Sequence, residues 1–238
     1  MGISGYNLPE AAAFIYALDL TECVISDETT HHLANVLRIK SGQRIILSDG
    51  LGNWRLCVAN TNTKSSFWLV GQEDIVKSEL TPMAVSVGFA LTKPTASETT
   101  VQKLAELGVN NIFPFISQRT PFKVDDNIKG KLLRRFKKIA ASAGEQSRNP
   151  FLPSVHEIQS FKNLTESYLG KAALVQPGYA SMNQDALSSV EIILIGPEGG
   201  FTLEELESVQ TKFSLANSIL RSETAAIAVG VLLNYLDS

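Results

Sequence analysis

The chain is poor in the residues that staple or metallate small folds: two cysteines and three histidines in 238 residues. That excludes a disulfide framework and leaves no Cys/His spacing for zinc. Cys23 and Cys57 fit a reduced compartment, and no metal is expected. No run of eighteen apolar residues occurs, and the first twenty residues carry Glu10 and Asp19 without a basic flank. Neither a membrane span nor a secretory signal is supported, so the expected location is the cytoplasm. A basic excess is missing too, with a net charge of −3 and a pI near 5.7. This speaks against a whole-surface polyanion binder, while local patches can still grip nucleic acid. The dinucleotide fingerprint G-x-G-x-x-G and the phosphate loop G-x-x-x-x-G-K-[ST] are both absent, so NAD and nucleoside triphosphates are not favoured. There is no internal repeat and no low-complexity tract.

What is present divides the chain in two. With 44% hydrophobic and 19% charged residues it reads as globular. Up to about residue 75, "RIILSDG", "NWRLCVAN" and "SSFWLVGQ" are short apolar or alternating runs parted by turn residues, the pattern of a small β-barrel or sandwich. Before them, "DETTHHLANVLRIKSGQ" predicts a short helix ending near Gly42. From about Met83 the rhythm changes to strands alternating with helices, from "MAVSVGFAL" to "ETAAIAVGVLLNYL", which argues for a parallel sheet. The boundary is expected in the charged, proline-ended stretch 73–82, giving domains 1–75 and 76–238.

Four stretches carry chemistry. "EIILIGPEGGFTLEEL", residues 191–206, is a buried strand, a turn with Gly196, Gly199 and Gly200, and a helix start whose Thr202 and Glu205 form a capping box. Bare backbone beyond a strand's carboxyl end is a ligand-pocket candidate, against an even reading as a structural turn. In "LANSILRSETAAIAVG", Arg221 follows Ile219 and Leu220 and precedes Ser222, a candidate N-cap; it is either a site cation or an ion-pair partner of Glu223 or Glu198. In "ALTKPTASETTVQKLAELG", Lys93 follows a strand while Thr95 and Glu98 cap the next helix, and Arg119 in "SQRTPFK" has the same placement after the next strand. Each is as readily a surface cation. In "HHLANVLRIKSGQRIILSDG", His31 and His32 read as a helix-start pair, one in the core and one exposed, with Arg38, Lys40 and Arg44 able to contact phosphate. A further helix, "KGKLLRRFKKIAASAGEQSR", sets Lys129, Lys131, Arg134, Arg135, Lys137, Lys138 and Arg148 around the apolar series Leu132, Phe136, Ile139 and Ala143. That density of one sign favours a phosphate-facing surface over a merely solvated face.

Taken in order, "HHLANVLRIKSGQRIILSDG", "ALTK…QKLAELGV", "GEQSRNPFLP", "LIGPEGGFTLEE" and "SILRSETAAIAV" resemble the ribosomal RNA small subunit methyltransferase E family over nearly the whole chain. The resemblance implies a PUA-like β-barrel followed by a SPOUT-type α/β domain with a C-terminal trefoil knot, working as a homodimer. It implies methylation of N3 of a uridine in 16S ribosomal RNA of the small subunit, with S-adenosylmethionine as methyl donor and no metal, and with neither DNA nor membrane as a partner. By the same resemblance Leu174, Ile195, Gly196, Gly199, Gly200, Ile219, Leu220 and Thr224 hold the cofactor. The chemistry of N3 methylation selects Arg221 to stabilise the developing uracil anion, since a guanidinium cannot act as base, with Glu198 or Glu223 as candidate base or orienter of Arg221 against an equal structural reading. His31, His32, Arg38, Lys93, Arg119, Arg134, Arg135 and Arg148 face the RNA. The chain departs from the family at Ala216 and Ser218, where glycine and arginine are usual, and at Asn149, where arginine is usual; the lost cations imply a weaker grip on phosphate. Two other readings compete: a SPOUT enzyme acting on another position such as a ribose 2′-OH, and an RNA-binding module without catalysis.

Overall fold

The structure, a computed structural model, describes residues 8–62 and 66–236. It comprises two compact units, the first made of Met1–Thr81 with Gly144–Leu152 and the second of Pro82–Ala143 with Pro153–Ser238. The first unit therefore takes in most of "GEQSRNPFLP", which the sequence reading places in the second domain.

In the first unit, β1 (Ala13–Tyr16) pairs parallel with β2 (Arg44–Ser48). β2 runs antiparallel to β3 (Asn53–Asn62), which pairs antiparallel with both β4 (Ser66–Gly71) and the short β5 (Val76–Lys77). Strict alternation explains two apolar layers on one sheet. Ile15, Ile45, Leu47 and Cys57 face one cluster with Leu33, whereas Phe14, Ile46, Trp54 and Leu56 face another. Cys23 and Cys57 lie buried with their Sγ atoms 3.5 Å apart, as free thiols; burial, and then the hydrogen bond with Cys23, push Cys57 up to about 12. The expected helix stops early. α1 (Asp27–His31), capped by the Ser26 hydroxyl accepting from the Thr29 amide, passes into a single π-helical turn, His32–Val36. Arg38, at φ +52°, then turns the chain out of the helix well before Gly42.

The stretch 144–152 is strapped onto this sheet. Tyr16 Oη donates to the Asn149 carbonyl at 2.7 Å, Ser48 Oγ to the Pro150 carbonyl at 2.9 Å, and Arg148 Nη2 to the Ala11 carbonyl at 2.6 Å.

The second unit has an all-parallel main sheet, ordered β12-β10-β11-β6-β7-β8, with β9 also pairing β7. Its elements are β6 (Ser86–Ala90), α2 (Pro94–Glu106), β7 (Asn111–Ile116), α3 (Asp126–Ser147), β8 (Ser154–Val155), β9 (Gln159–Ser160) and α4 (Phe161–Ser167). They continue with β10 (Ala172–Val175), α5 (Gln184–Leu187), β11 (Ile192–Ile195), α6 (Leu203–Ser208), β12 (Thr211–Phe213) and α7 (Ser222–Leu236). The central strands are buried on both faces and so read as continuous apolar runs, "SVGFA" and "IILI". On one face α7 packs on α2, β6 and β11, and Phe136 of α3 meets Phe89 edge-on, with ring centroids 6.0 Å apart. On the other, the rings of Phe115 and Phe201 stack, and Phe161, the first residue of α4, is tilted against both. Among the described residues no helix is long and apolar enough to cross a membrane.

Thr95 and Glu98 do not cap α2. The helix starts at Pro94, whose missing N–H costs nothing at that position, and the Ser97 hydroxyl folds back onto Thr92. Glu98 instead receives Arg135.

Candidate active site

A cleft of about 250 Å3 opens at the carboxyl ends of β10 and β11, where parallel α/β sheets place their ligands. Val175, Gln176 and Pro177 form one wall, the turn after β11 a second, and the segment Ser214–Leu220 between β12 and α7 the third.

The glycine turn is built for backbone exposure. Gly200 sits at φ +69°, a left-handed conformation that disfavours any side chain, and its amide donates to the Pro197 carbonyl at 2.8 Å. A Cβ on Gly196 would come within 3.0 Å of the Phe201 ring, so the close seating of that ring requires glycine there. The turn is pinned from outside by Ser222 Oγ on the Gly196 carbonyl at 3.0 Å and by Arg119 Nη1 on the Gly199 carbonyl at 2.6 Å. Ser222 is thus the first residue of α7 and ties that helix to the turn. Thr202 and Glu205 form the expected capping box on α6.

Of the residues expected to hold a cofactor, Ile195, Gly196, Gly200, Ile219 and Leu220 line the cleft, as does Glu198. Leu174, Gly199 and Thr224 do not. Leu174 points by strand alternation into the aromatic layer, and its neighbour Val175 lines the cleft instead. Gly199 serves as the acceptor for Arg119, and Thr224 is exposed on α7. Ser214, Leu215, Ala216 and Ser218 also line the cleft; their one sequence signal is their place between an edge strand and a helix start.

Among the described residues Glu198 is the one charged side chain in the lining. Arg221, between the lining residues Leu220 and Ser222, is exposed, and its side chain makes no hydrogen bond or ion pair among the described residues. It is therefore not the partner of Glu223 or Glu198. Glu223 is half-buried, with Oε2 shielded from solvent and lacking a hydrogen-bond partner in the protein.

The cations expected to face RNA fall in both units. In the first, Arg38 is exposed, and so are both His31 and His32, at the junction of α1 with the π turn; Leu33 takes the core position. Arg148 is turned inward, with Nη2 on Ala11 and Nη1 shielded. Asn149 does not stand where a phosphate could reach it either: it is buried, and its Oδ1 accepts from the Phe151 amide at 2.9 Å. In the second unit Lys93 and Arg134 are exposed, Arg119 holds Gly199, and Arg135 pairs bidentately with Glu98 at 2.8 and 3.2 Å. No group of three or more His, Cys, Asp or Glu gathers to hold a metal among the described residues.

Residues 79–234 match the RNA methyltransferase domain, and residues 25–59 the RNA methyltransferase PUA domain. The chain is 29% identical over 227 residues to the ribosomal RNA small subunit methyltransferase E of Bacillus subtilis, covering 89% of each chain. The protein of that name from Synechocystis is 28% identical, covering 87% of this chain and 70% of the relative. Among solved structures, the ribosomal RNA small subunit methyltransferase E of Neisseria gonorrhoeae bound to S-adenosyl methionine superposes with a TM-score of 0.79 at 24% identity, covering 94% of this chain and 97% of that one. A Legionella pneumophila methyltransferase in complex with S-adenosylmethionine gives 0.81 at 24%, covering 93% and 96%, and both speak for a shared fold. The domain match over residues 79–234 and relatives aligned along most of their length lead to one conclusion: the chain belongs to the RNA methyltransferase family, in the branch of ribosomal RNA small subunit methyltransferase E.

Proposed function

We propose that this protein transfers a methyl group from S-adenosylmethionine to N3 of a uridine in 16S ribosomal RNA. The observation that carries the reading is the cleft beyond β10 and β11, whose bare glycine turn offers backbone to a ligand and whose one charged liner is a carboxylate. The residues present fit that donor. Ile195, Leu215 and Leu220 supply apolar walls for an adenine, and Glu198 complements a cationic ligand. The donor supplies an electrophilic methyl on a positively charged sulfur.

The chain's own residues have two tasks. The uracil N3 proton has a pKa above neutrality, so it must be accepted as the methyl arrives, and the charge left on the uracil must be stabilised. Glu198, at the cleft, is the candidate acceptor or orienter. Arg221 stands beside two lining residues with its guanidinium unengaged; it cannot act as a base but can stabilise negative charge on a uracil carbonyl oxygen. His31, His32 and Arg38 on the first unit, and Lys93 and Arg134 on the second, are the cations offered to phosphate, while Arg119 is engaged with the Gly199 carbonyl.

The same reading covers three further properties. A C-terminal trefoil knot is supported by the path of the chain, which leaves β11 for the edge strand β12 beyond β10 and returns as α7 onto β6 and β11. A homodimer is supported by α7, where Val231 and Tyr235 are 49% and 78% exposed on a helix otherwise rich in apolar residues. A cytoplasmic place follows from the RNA substrate.

The test is mass spectrometry of 16S ribosomal RNA from cells with and without the protein, with in vitro transfer in the presence of a chelator. Loss of one N3-methyluridine, restored by the purified protein, is the expected result. An unchanged spectrum, or methylation of a ribose instead, overturns the assignment.

A further inference from the structure

A buried carboxylate outside the cleft links the glycine turn to a second turn. We propose that Glu205 is a positioning residue for the cofactor cleft: it clamps the turn after β7 against the glycine turn, so that Arg119 can hold the Gly199 carbonyl in place. The inference rests on the cofactor reading above.

A capping box needs only one carboxylate oxygen, and such glutamates ordinarily stand at a wet helix start. Glu205 is 3% exposed on a helix of six residues. A carboxylate that far from water must be met by donors. Oε2 accepts from the Thr202 amide at 2.9 Å, from Ser117 Oγ at 3.1 Å and from Thr202 Oγ1 at 3.4 Å, while Oε1 accepts from the Gln118 amide at 2.9 Å. Two of these four donors come from the turn after β7, which is closed on itself by Thr120 N–H on the Ser117 carbonyl and by Thr120 Oγ1 accepting from the Ser117 amide. From that turn Gln118 Nε2 reaches Glu204 at 2.9 Å and Arg119 reaches Gly199.

The arrangement answers a geometric need. β6 lies between β7 and β11, so no strand pairing fixes the two following turns relative to each other. The Glu205 clasp does, and through Arg119 it reaches the turn in which Gly200 bonds Pro197 at the cleft wall. Neither Ser117 nor Glu205 lines the cleft.

Ser117→Ala removes one donor of the clasp, together with the Ser117 Oγ that accepts from the Arg119 amide at 3.4 Å, and leaves the capping box whole; Thr202→Ala removes the hydroxyl half of the cap and its 3.4 Å contact with Oε2, and leaves the Ser117 and Gln118 bonds that make the clasp. Two readouts decide. In the protein without ligand, hydrogen exchange at the Gly200 amide should quicken in Ser117→Ala and stay at the parent rate in Thr202→Ala. By calorimetry, the Kd for S-adenosylmethionine should rise about tenfold in Ser117→Ala, the size of one lost buried hydrogen bond, with kcat regained at saturating donor. Glu205→Gln should show both effects more strongly. Parent-like exchange and parent-like Kd in Ser117→Ala, or the same effects in Thr202→Ala, would reduce Glu205 to a helix cap and overturn the proposal. Should the parent itself bind no S-adenosylmethionine, the cofactor reading fails, and the exchange measurement still decides the clasp.

Discussion

At the scale of single residues, the glycine turn, Arg221 and one half-buried carboxylate behave separately. At Gly200 an added Cβ would meet nothing within 4 Å, so Gly200→Val acts through the left-handed backbone rather than through a clash. It should destabilise the fold by about 1–2 kcal/mol in thermal unfolding, and it should weaken S-adenosylmethionine binding as the turn changes course. Arg221→Ala touches nothing in the fold. It should leave cofactor affinity and Tm intact while slowing methyl transfer by roughly two to three orders of magnitude in single turnover, the loss typical of one charge-stabilising group. A parent rate would move the role to Lys93 or Arg119. Glu145 behaves differently. Burial, opposed by the Tyr16 amide and the nearby His32, raises its pKa above the usual glutamate value of 4.5. The folded chain therefore holds this proton more tightly than the unfolded one; the protonated form favours folding below the ordinary value, and that contribution is lost as pH rises through the folded pKa. In Glu145→Gln, which keeps an oxygen for Tyr16, urea midpoints measured upward from pH 4.5 should fall less steeply with pH than in the parent.

At the scale of elements, α3 shows why a run of like charge is not one surface. Its 3.6-residue period turns Phe136, Ala140 and Ala143 inward. Of the outward cations, Lys129 pairs with Asp126, and Arg135 reaches across to Glu98 on α2. Arg134 is left to solvent. The two adjacent arginines should therefore separate on mutation. Arg134→Ala should weaken RNA binding and lower the salt dependence of log K by about 0.7–0.9 for each phosphate that the side chain had neutralised, with Tm unchanged. Arg135→Ala should change the salt slope less. Filter binding across a salt series distinguishes them, and equal slopes for both variants would mean that the Glu98 pair opens when RNA binds.

At the scale of the whole molecule, α7 has one face on α2, β6 and β11 and an outer side where Val231 and Tyr235 stand in solvent. If that side is the seam of a homodimer, Tyr235→Asp should give a monomer mass by light scattering at micromolar concentration while the circular dichroism spectrum is kept. A parent already monomeric under those conditions removes the dimer from the account.

The sequence by itself determined the alternation that builds two apolar layers around β2 and β3, the continuous apolar strands of a parallel sheet, the capping box at Thr202 and Glu205, and the placing of a ligand cleft at Gly196–Gly200. These are local: they follow from periods of two and 3.6 residues and from glycine's freedom of backbone, all readable within a short window. What only the tertiary structure decided depends on partners far apart in sequence. Arg148 and Asn149 stand in a motif read as RNA-facing, yet Tyr16, Ser48 and Ala11 bind that stretch into the first unit. Leu174 and Val175 are neighbours, and the position of the sheet faces chose the second for the cleft. Arg119 is by sequence either a pocket-reaching or a surface cation, and the fold brings the Gly199 carbonyl to it from 80 residues away. Glu205 read as half of a cap until Ser117, 88 residues distant, became its donor. A side chain's type states which bonds it can make, but only the folded chain decides which partner is within three ångströms.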